Sequence, residues 1–348
     1  MDEEIFKALP QLLLPWYARS ARDLPWRRDR EPYHIWLSEI MLQQTRVEAV
    51  KGYYARFLTA LPNIQALAAA DQETVNKLWE GLGYYSRARN LHCAAKEIVE
   101  RYQGKFPSDF AAIRALPGIG DYTAGAIGSI AFELPTPAVD GNVLRLVSRV
   151  TASRACVDDA KVKSEVRNAL ASIYPAGACG RFTQSLMELG ATVCIPNGTP
   201  DCTACPLRTI CRAMAQGVQL QLPVRREKRA RRQEIKTVLI LDCDGSIALQ
   251  KRPPHGLLAG LWQLPEAPGT LSPSQALTLL ESWGVKPQDI LKQVEKNHIF
   301  THVEWNMTGI YFRCAQKTPQ FTWATPEELE RLYSVPTAYR QFLTERTI

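Results

Sequence analysis

No stretch of this 348-residue sequence approaches the ~18 consecutive apolar residues that a membrane span requires. The opening residues, MDEEIFKALP, are acidic, which excludes the basic start of a secretory signal. Together these absences predict a soluble, intracellular, cytoplasmic protein with no membrane contact. There is no internal repeat and no low-complexity tract, so repeat architectures and compositional disorder are excluded. Disulfides are also unexpected, since a reducing compartment keeps thiols free even where, as here, there are nine cysteines.

What is present points to an enzyme-sized globular chain. A length of 348 residues exceeds one ordinary core and predicts two domains or more. The hydrophobic fraction of 46% is enough to build them. A net charge of +7 and a pI near 8.9 favour an anionic partner such as nucleic acid. Charge alone fits a merely basic protein equally well.

Residues 1–218 carry apolar residues at spacings of three and four, as in IQALAAADQETVNKLWEGL, and predict an almost entirely helical domain. Residues 219–234, QLQLPVRREKRARRQE, are polar and basic and predict a solvated linker. Residues 235–348 predict a second, mixed α and β domain. In it KTVLILDCDGSIALQKR has a strand–turn–strand pattern around Asp244–Gly245, and HIFTHVEWNMTGIYFRC alternates like a strand. SPSQALTLLESWGV between them has a helix start and a helical period.

Four cysteines, Cys194, Cys202, Cys205 and Cys211, fall within eighteen residues as C-x7-C-x2-C-x5-C. Thiolates this dense hold a metal. Structural zinc sites use two knuckles set far apart, whereas one compact loop suits an iron–sulfur cluster. Spacing alone leaves zinc and cluster open. The scattered Cys93, Cys156, Cys179, Cys243 and Cys314 are expected to be inert.

Three motifs in the helical part could carry chemistry. LPGIGDYTAGAI (residues 116–127) predicts a helix ending near Ala115, a turn at Gly118 and Gly120, and a new helix near Tyr122. Unpaired amides at such a helix start favour a DNA phosphate, although an ordinary interhelical turn has the same pattern. HIWLSEIMLQQTR (34–46) sets Glu39 on a helix with Ile35, Trp36, Leu42 and Gln43. A carboxyl there would have a raised pKa and serve as a proton donor, unless it simply sits on a wet face. In AVDGNVLRLVSR (138–149) Asp140 stands where a helix begins. It is either an N-cap or the partner of Glu39 in a two-carboxylate glycosidic cleavage.

LPGIG, VDGNV and the four cysteines together resemble the helix-hairpin-helix DNA glycosylases of the endonuclease III superfamily that carry an iron–sulfur cluster. LPWR, WLSEIMLQQT, GLGYYSRARNLH and the presence of a second domain resemble its adenine-removing branch over nearly the whole chain. The first cysteine gap is the one departure, seven residues here and commonly six. The resemblance implies one four-iron four-sulfur cluster on Cys194, Cys202, Cys205 and Cys211. It implies a monomer acting on double-stranded DNA with adenine opposite 8-oxoguanine or guanine, in base-excision repair in a bacterial-type, nucleoid-associated setting. Glu39 matches the general acid and Asp140 the carboxylate that stabilises the sugar cation. Tyr122 stands where strand-cleaving relatives have a lysine, and a phenol forms no Schiff base, so a monofunctional enzyme is implied. A bifunctional glycosylase/lyase is the alternative. Trp26, Arg27, Tyr122, Asn142 and Gln184 match the adenine pocket. Gln44, Thr45, Leu82, Tyr84, Gly118, Gly120 and Thr123 match DNA-contacting positions, with Gln44 and Tyr84 as wedges for base flipping. The resemblance also implies that the cluster is structural and shapes a DNA-facing loop near Arg208 and Arg212.

The second domain resembles the Nudix fold. Its helix QALTLLESWGV keeps only Glu281, too little acid for magnesium-dependent hydrolysis. Recognition of 8-oxoguanine by Phe300, Thr301 and His302 is implied instead. On its own pattern, IFTHVEW is equally a plain strand.

Overall fold

The computed structural model of the chain describes residues 3–227 and 230–345. Contacts divide the chain into two units, residues 1–69 with 90–227, and residues 70–89 with 228–348. The helices preceding the sheet are α1 (Glu3–Ser20), α2 (Pro32–Leu42), α3 (Val47–Ala60), α4 (Ile64–Ala69), α5 (Gln72–Trp79) and α6 (Ser86–Tyr102). They continue with α7 (Phe110–Ala115), α8 (Asp121–Phe132), α9 (Gly141–Val150), α10 (Ala160–Ala171), α11 (Cys179–Thr192) and α12 (Arg212–Ala215). Helix α5 and the first turn of α6 belong to the second unit. Among the described residues no helix is long and apolar enough to cross a membrane.

In the first unit α2 and α8 are buried nearly all round and lie against each other. Pro32 opens α2 at a position where its missing N–H costs nothing. Burial of Trp36, Ile35 and Leu37, each at most 1% exposed, contributes about 1.5–3 kcal/mol per side chain. A second core joins α1, α9, α10 and α11 through Leu13, Val143, Leu170 and Phe182, and extends to Cys194 and Leu207 beside the cysteine loop. Small residues let the central helices approach. A Cβ on Gly125 of α8 would stand 2.2 Å from the Pro137 carbonyl oxygen, and one on Gly190 of α11 would stand 2.6 Å from Asn142 Cβ. Those approaches draw the segment around Asp140 against α8 and α11.

The second unit is a seven-stranded mixed sheet in the order β3-β2-β1-β6-β5. The strands are β1 (Arg232–Cys243), β2 (Ser246–Lys251), β3 (Trp262–Gln263), β4 (Glu266–Pro268), β5 (Pro287–Ile299), β6 (Val303–Cys314) and β7 (Thr322–Ala324). Strand β4 pairs with β1 and β7 with β2. Asp244 and Gly245 adopt left-handed backbone (φ 48° and 81°), the turn that matches strand twist. Strands β1 and β6 run parallel, and both faces of β1 are covered. Val238 and Ile240 meet α14 (Pro326–Arg331) and α15 (Thr337–Leu343), whereas Leu239 and Leu241 meet α13 (Pro273–Ser282). A continuous apolar run such as VLIL is what such two-sided burial demands. A capping box at Ser272 and Gln275 starts α13.

The basic segment differs from a free tether at both ends. Strand β1 reaches back to Arg232 because β6 supplies parallel partners from Val303 onward. At the other end the Val224 carbonyl accepts from the Val157 amide at 3.0 Å. Arg225 and Arg226 pair with Asp158 and Asp159. Lys228 and Arg229, also in the predicted linker, lie outside the described residues.

Candidate active site

Glu39 sits on α2 with 7% of its surface exposed, walled by the apolar residues of a buried helix. Burial pushes its carboxyl up to about 7. The Tyr122 hydroxyl, donating to Oε2 at 2.6 Å, pulls the other way, while Asp140 adds to the rise and Arg27 opposes it. The Tyr122 hydroxyl thus engages Oε2 and not Oε1.

Of the two capacities that its sequence position suggested, Asp140 takes up that of helix cap. It is the N-cap of α9, its Oδ1 accepting the Val143 amide at 2.7 Å. Its Oδ2 accepts from Asn142 Nδ2 at 2.7 Å, and its pKa is raised, chiefly by burial. Asn142 Oδ1 in turn accepts from Arg145 at 2.8 Å, and Arg145 also bonds the carbonyls of Gly190 and Cys194. One chain of hydrogen bonds thus runs from the Asp140 carboxylate to the main chain of the first clustered cysteine.

A single cleft in the first unit is lined by Trp26, Arg27, Glu39, Thr45, Tyr122, Asp140, Asn142 and Gln184. Trp26 is held edge-on to Tyr54, ring centroids 5.5 Å apart, and Gln184 Oε1 accepts from Tyr17 at 2.8 Å. Residues from Trp26 to Gln184 therefore converge on one site. The cleft also contains Arg22, Ser38, Met187 and Glu188, which sequence reasoning did not single out. Glu188 looks like an ordinary helix glutamate in SLMELGA, and nothing local marks it as buried.

The positions matched to DNA contacts fall into two groups. Gln44 is exposed with left-handed backbone (φ 58°) immediately beyond α2. Gly118 takes φ 75° in the turn between α7 and α8, where a Cβ would strike Asn90 at 2.5 Å. Gly120 is the N-cap of α8 and supplies no side chain, so the first amides of α8 have no side-chain cap. Asp121 beside them is bridged by Arg114 and Arg167. Leu82 and Thr123, by contrast, are buried, and Thr123 Oγ1 accepts from Gln43, so their side chains offer no surface to a duplex. In the second unit Tyr84 is 45% exposed with φ 47°, and its hydroxyl lies 2.8 Å from Thr301 Oγ1. Phe300, Thr301 and His302 form the turn between β5 and β6 rather than a strand. The Phe300 amide bonds the Val303 carbonyl, which closes the hairpin. Phe300 stacks edge-on against His298 and Trp305, while Thr301 and His302 are exposed.

Cys194, Cys202, Cys205 and Cys211 line one cavity together with Arg149 and Arg208. Arg149 Nη1 donates to Cys194 Sγ at 3.2 Å. Among the described residues no three His, Cys, Asp or Glu side chains converge tightly enough to hold one metal ion.

Residues 37–175 match the family described as HhH-GPD superfamily base excision DNA repair protein, and residues 236–345 match the NUDIX domain. The adenine DNA glycosylase of Mus musculus is 36% identical over a 382-residue alignment, covering 91% of this chain and 73% of that protein. That of Buchnera aphidicola subsp. Acyrthosiphon pisum (strain APS) is 34% identical over 304 residues, 87% of this chain and 86% of its own length. Among solved structures, a thermostable thymine-DNA glycosylase superposes with TM-score 0.55 at 26% identity, over 61% of this chain and 98% of its own. Endonuclease III trapped as a covalent intermediate on DNA gives TM-score 0.53 at 23% identity, over 62% and 99%, a likeness of fold. With its helical fold, its two carboxyls in one cleft and relatives that align along most of their own length, the chain belongs to the adenine DNA glycosylase family within the HhH-GPD superfamily.

Proposed function

We propose that the protein hydrolyses the N-glycosidic bond of adenine mispaired with 8-oxoguanine or guanine in duplex DNA, leaving an abasic site. The observation that carries this reading is the meeting of Glu39 and Asp140 in one cleft, where burial pushes the Glu39 carboxyl up to about 7. An adenine flipped into the cleft would take a proton from Glu39 Oε1, which makes the purine a better leaving group. Asp140, as carboxylate at the start of α9, faces the sugar cation left behind. Water completes the hydrolysis. The group that hydrogen-bonds Glu39 is the Tyr122 phenol, and burial raises its pKa well above the ordinary value. It supplies no amine for a Schiff base, which favours base removal without strand cleavage.

The test uses duplexes carrying adenine opposite 8-oxoguanine, guanine or thymine. Strand breaks should appear for the first two substrates, and only after alkali. Breaks without alkali would replace this reading with the bifunctional one.

A pH dependence follows from the direction of the Glu39 shift. The acid form is the active one, so single-turnover excision should decline as pH rises through about 7. Well above that value the loss should approach about tenfold per unit. A rate that stays flat between pH 7 and 9 would remove Glu39 from the role of acid.

The four clustered cysteines fit a four-iron four-sulfur cluster, because all four line one cavity and Arg149 donates to Cys194 Sγ there. Such a group would hold the loop from Cys194 to Cys211 in shape. Purified protein should contain about four iron atoms per chain and little zinc. A zinc-loaded, iron-free protein of full activity would sink the assignment.

The turn Phe300–His302 presents one hydroxyl and one imidazole on the surface of the second unit. We assign it to the base opposite adenine. A neutral hydrogen bond contributes about 0.5–1.5 kcal/mol, so Thr301→Ala or His302→Ala should each lower the preference for 8-oxoguanine over guanine several-fold. The double variant should do more. Unchanged preference in the double variant would place recognition elsewhere.

A further inference from the structure

Glu188 is a buried, ionised group in the reaction cleft for which the mechanism above has no use. Its side chain is 0% exposed, and four bonds saturate its two oxygens. Oε1 accepts the Arg22 amide at 3.0 Å and Arg22 Nε at 2.7 Å. Oε2 accepts Arg22 Nη2 at 2.8 Å and Arg27 Nη2 at 2.7 Å. Arg27 is further tied by Nη1 to the Arg22 carbonyl at 3.2 Å and lies over the Tyr17 ring. With both oxygens filled, Glu188 has no acceptor to offer a bound base. What it fixes is the pair of guanidiniums on the stretch that enters the LPWR turn, and both line the same cleft as Glu39.

We propose that Glu188 is a positioning residue for base removal, which aims Arg22 and Arg27 into the cleft and cancels part of their charge beside the proton donor Glu39. This inference rests on the glycosylase reading above. The charged and titratable groups that bear on Glu39 are few. Arg27 comes from the 3-10 turn Pro25–Arg27, Tyr122 from α8 and Asp140 from the cap of α9. Helix α3 lends only Val47 to the lining, and α11 lends Glu188. Two arginines and one glutamate leave a net +1 in this corner. Burial opposes the ionised form of Glu188, yet the bonds from Arg22 and Arg27 overcome it and hold the group down at about 2. It therefore stays charged throughout any practical assay.

The consequence is a sign that ordinary loss of stability does not produce. Glu188→Gln leaves a net +2 near Glu39, which favours the Glu39 carboxylate and draws the proton off at lower pH. Arg27→Gln leaves a net charge of zero, which favours the protonated carboxyl and moves loss of activity to higher pH. The measurement is single-turnover adenine excision from about pH 5 to about pH 9 on a duplex with adenine opposite 8-oxoguanine. The alkaline limb should move down by about half a unit or more in Glu188→Gln and up by a similar amount in Arg27→Gln. Opposite shifts support the proposal. Limbs that coincide with wild type, or that move in the same direction, overturn it and leave the ion pair a structural tie. If Glu188→Gln does not fold, Glu188→Asp decides: it keeps the charge but shortens the reach to Arg22 and Arg27, so excision should slow while the alkaline limb stays in place, and an unchanged rate would overturn the proposal. If the wild-type protein excises no adenine at all, the reading of the reaction fails and this inference is not what has been refuted.

Discussion

Glu39→Gln is expected to lower single-turnover adenine excision by about 10²–10⁴-fold, the usual worth of a positioned proton donor. The substitution keeps the side chain's shape and an acceptor oxygen for the Tyr122 hydroxyl, so the cleft should survive it. Stability should respond with the opposite sign. A carboxyl whose pKa is raised on folding contributes stability only at low pH, and that contribution is lost as pH climbs from the unfolded value near 4.5 through about 7. Glutamine carries no such burden. At pH of about 8, above the raised pKa, the variant should therefore melt no lower than wild type while having lost its chemistry. Full excision by Glu39→Gln, or a variant that fails to fold at that pH, would contradict this account.

Asp140→Asn should cost about 10²–10³-fold or more in the same assay, because a neutral amide does not stabilise a developing sugar cation. Its structural effect should be small. Asparagine caps helices as well as aspartate does, so the Val143 amide keeps a partner. Asp140→Ala separates the two duties of the residue. It should be as inactive as Asp140→Asn and lose in addition about 1 kcal/mol of stability with the cap. Equal melting temperatures for the two variants would show that capping at α9 contributes little. Wild-type activity in Asp140→Asn would remove the carboxylate from the reaction. The pH profiles should also differ in kind. Glu39→Gln flattens the alkaline limb, whereas Asp140→Asn lowers the rate at every pH.

Local rules carried far into this protein. The apolar spacing, the Gly118–Gly120 turn and the Asp140 boundary determined the ends of α7, α8 and α9, because caps and left-handed glycines act over one helical turn. Asp244–Gly245 and Ser272 marked a hairpin and a helix start for the same reason. The four clustered cysteines were legible as a group because they fall within eighteen residues, and the structure sets them around one cavity. Sequence pattern could also place Glu39 on a helix, but not show that the helix is buried on every side. That depends on α8 covering it, which a one-dimensional period does not report.

Tertiary structure alone decided which distant faces meet. Residues 70–89 lie in the middle of a helical stretch, yet they belong with the C-terminal unit. Lys77 bonds the Leu329 and Tyr333 carbonyls there, and Glu80 accepts the Val335 amide. Nothing within twenty residues of Lys77 announces those partners. The parallel pairing of β1 with β6 spans some seventy positions and likewise has no local signature. Phe300–His302 alternates as a strand would, but the hydrogen bond from Phe300 to Val303 makes it a turn. Glu188 is the clearest case. As a letter in a helix it is a solvated glutamate, the commonest state for that residue. Only the return of the Arg22–Arg27 stretch across α11, 161 residues away in sequence, gives it two guanidiniums and lets a charge remain ionised with none of its surface exposed.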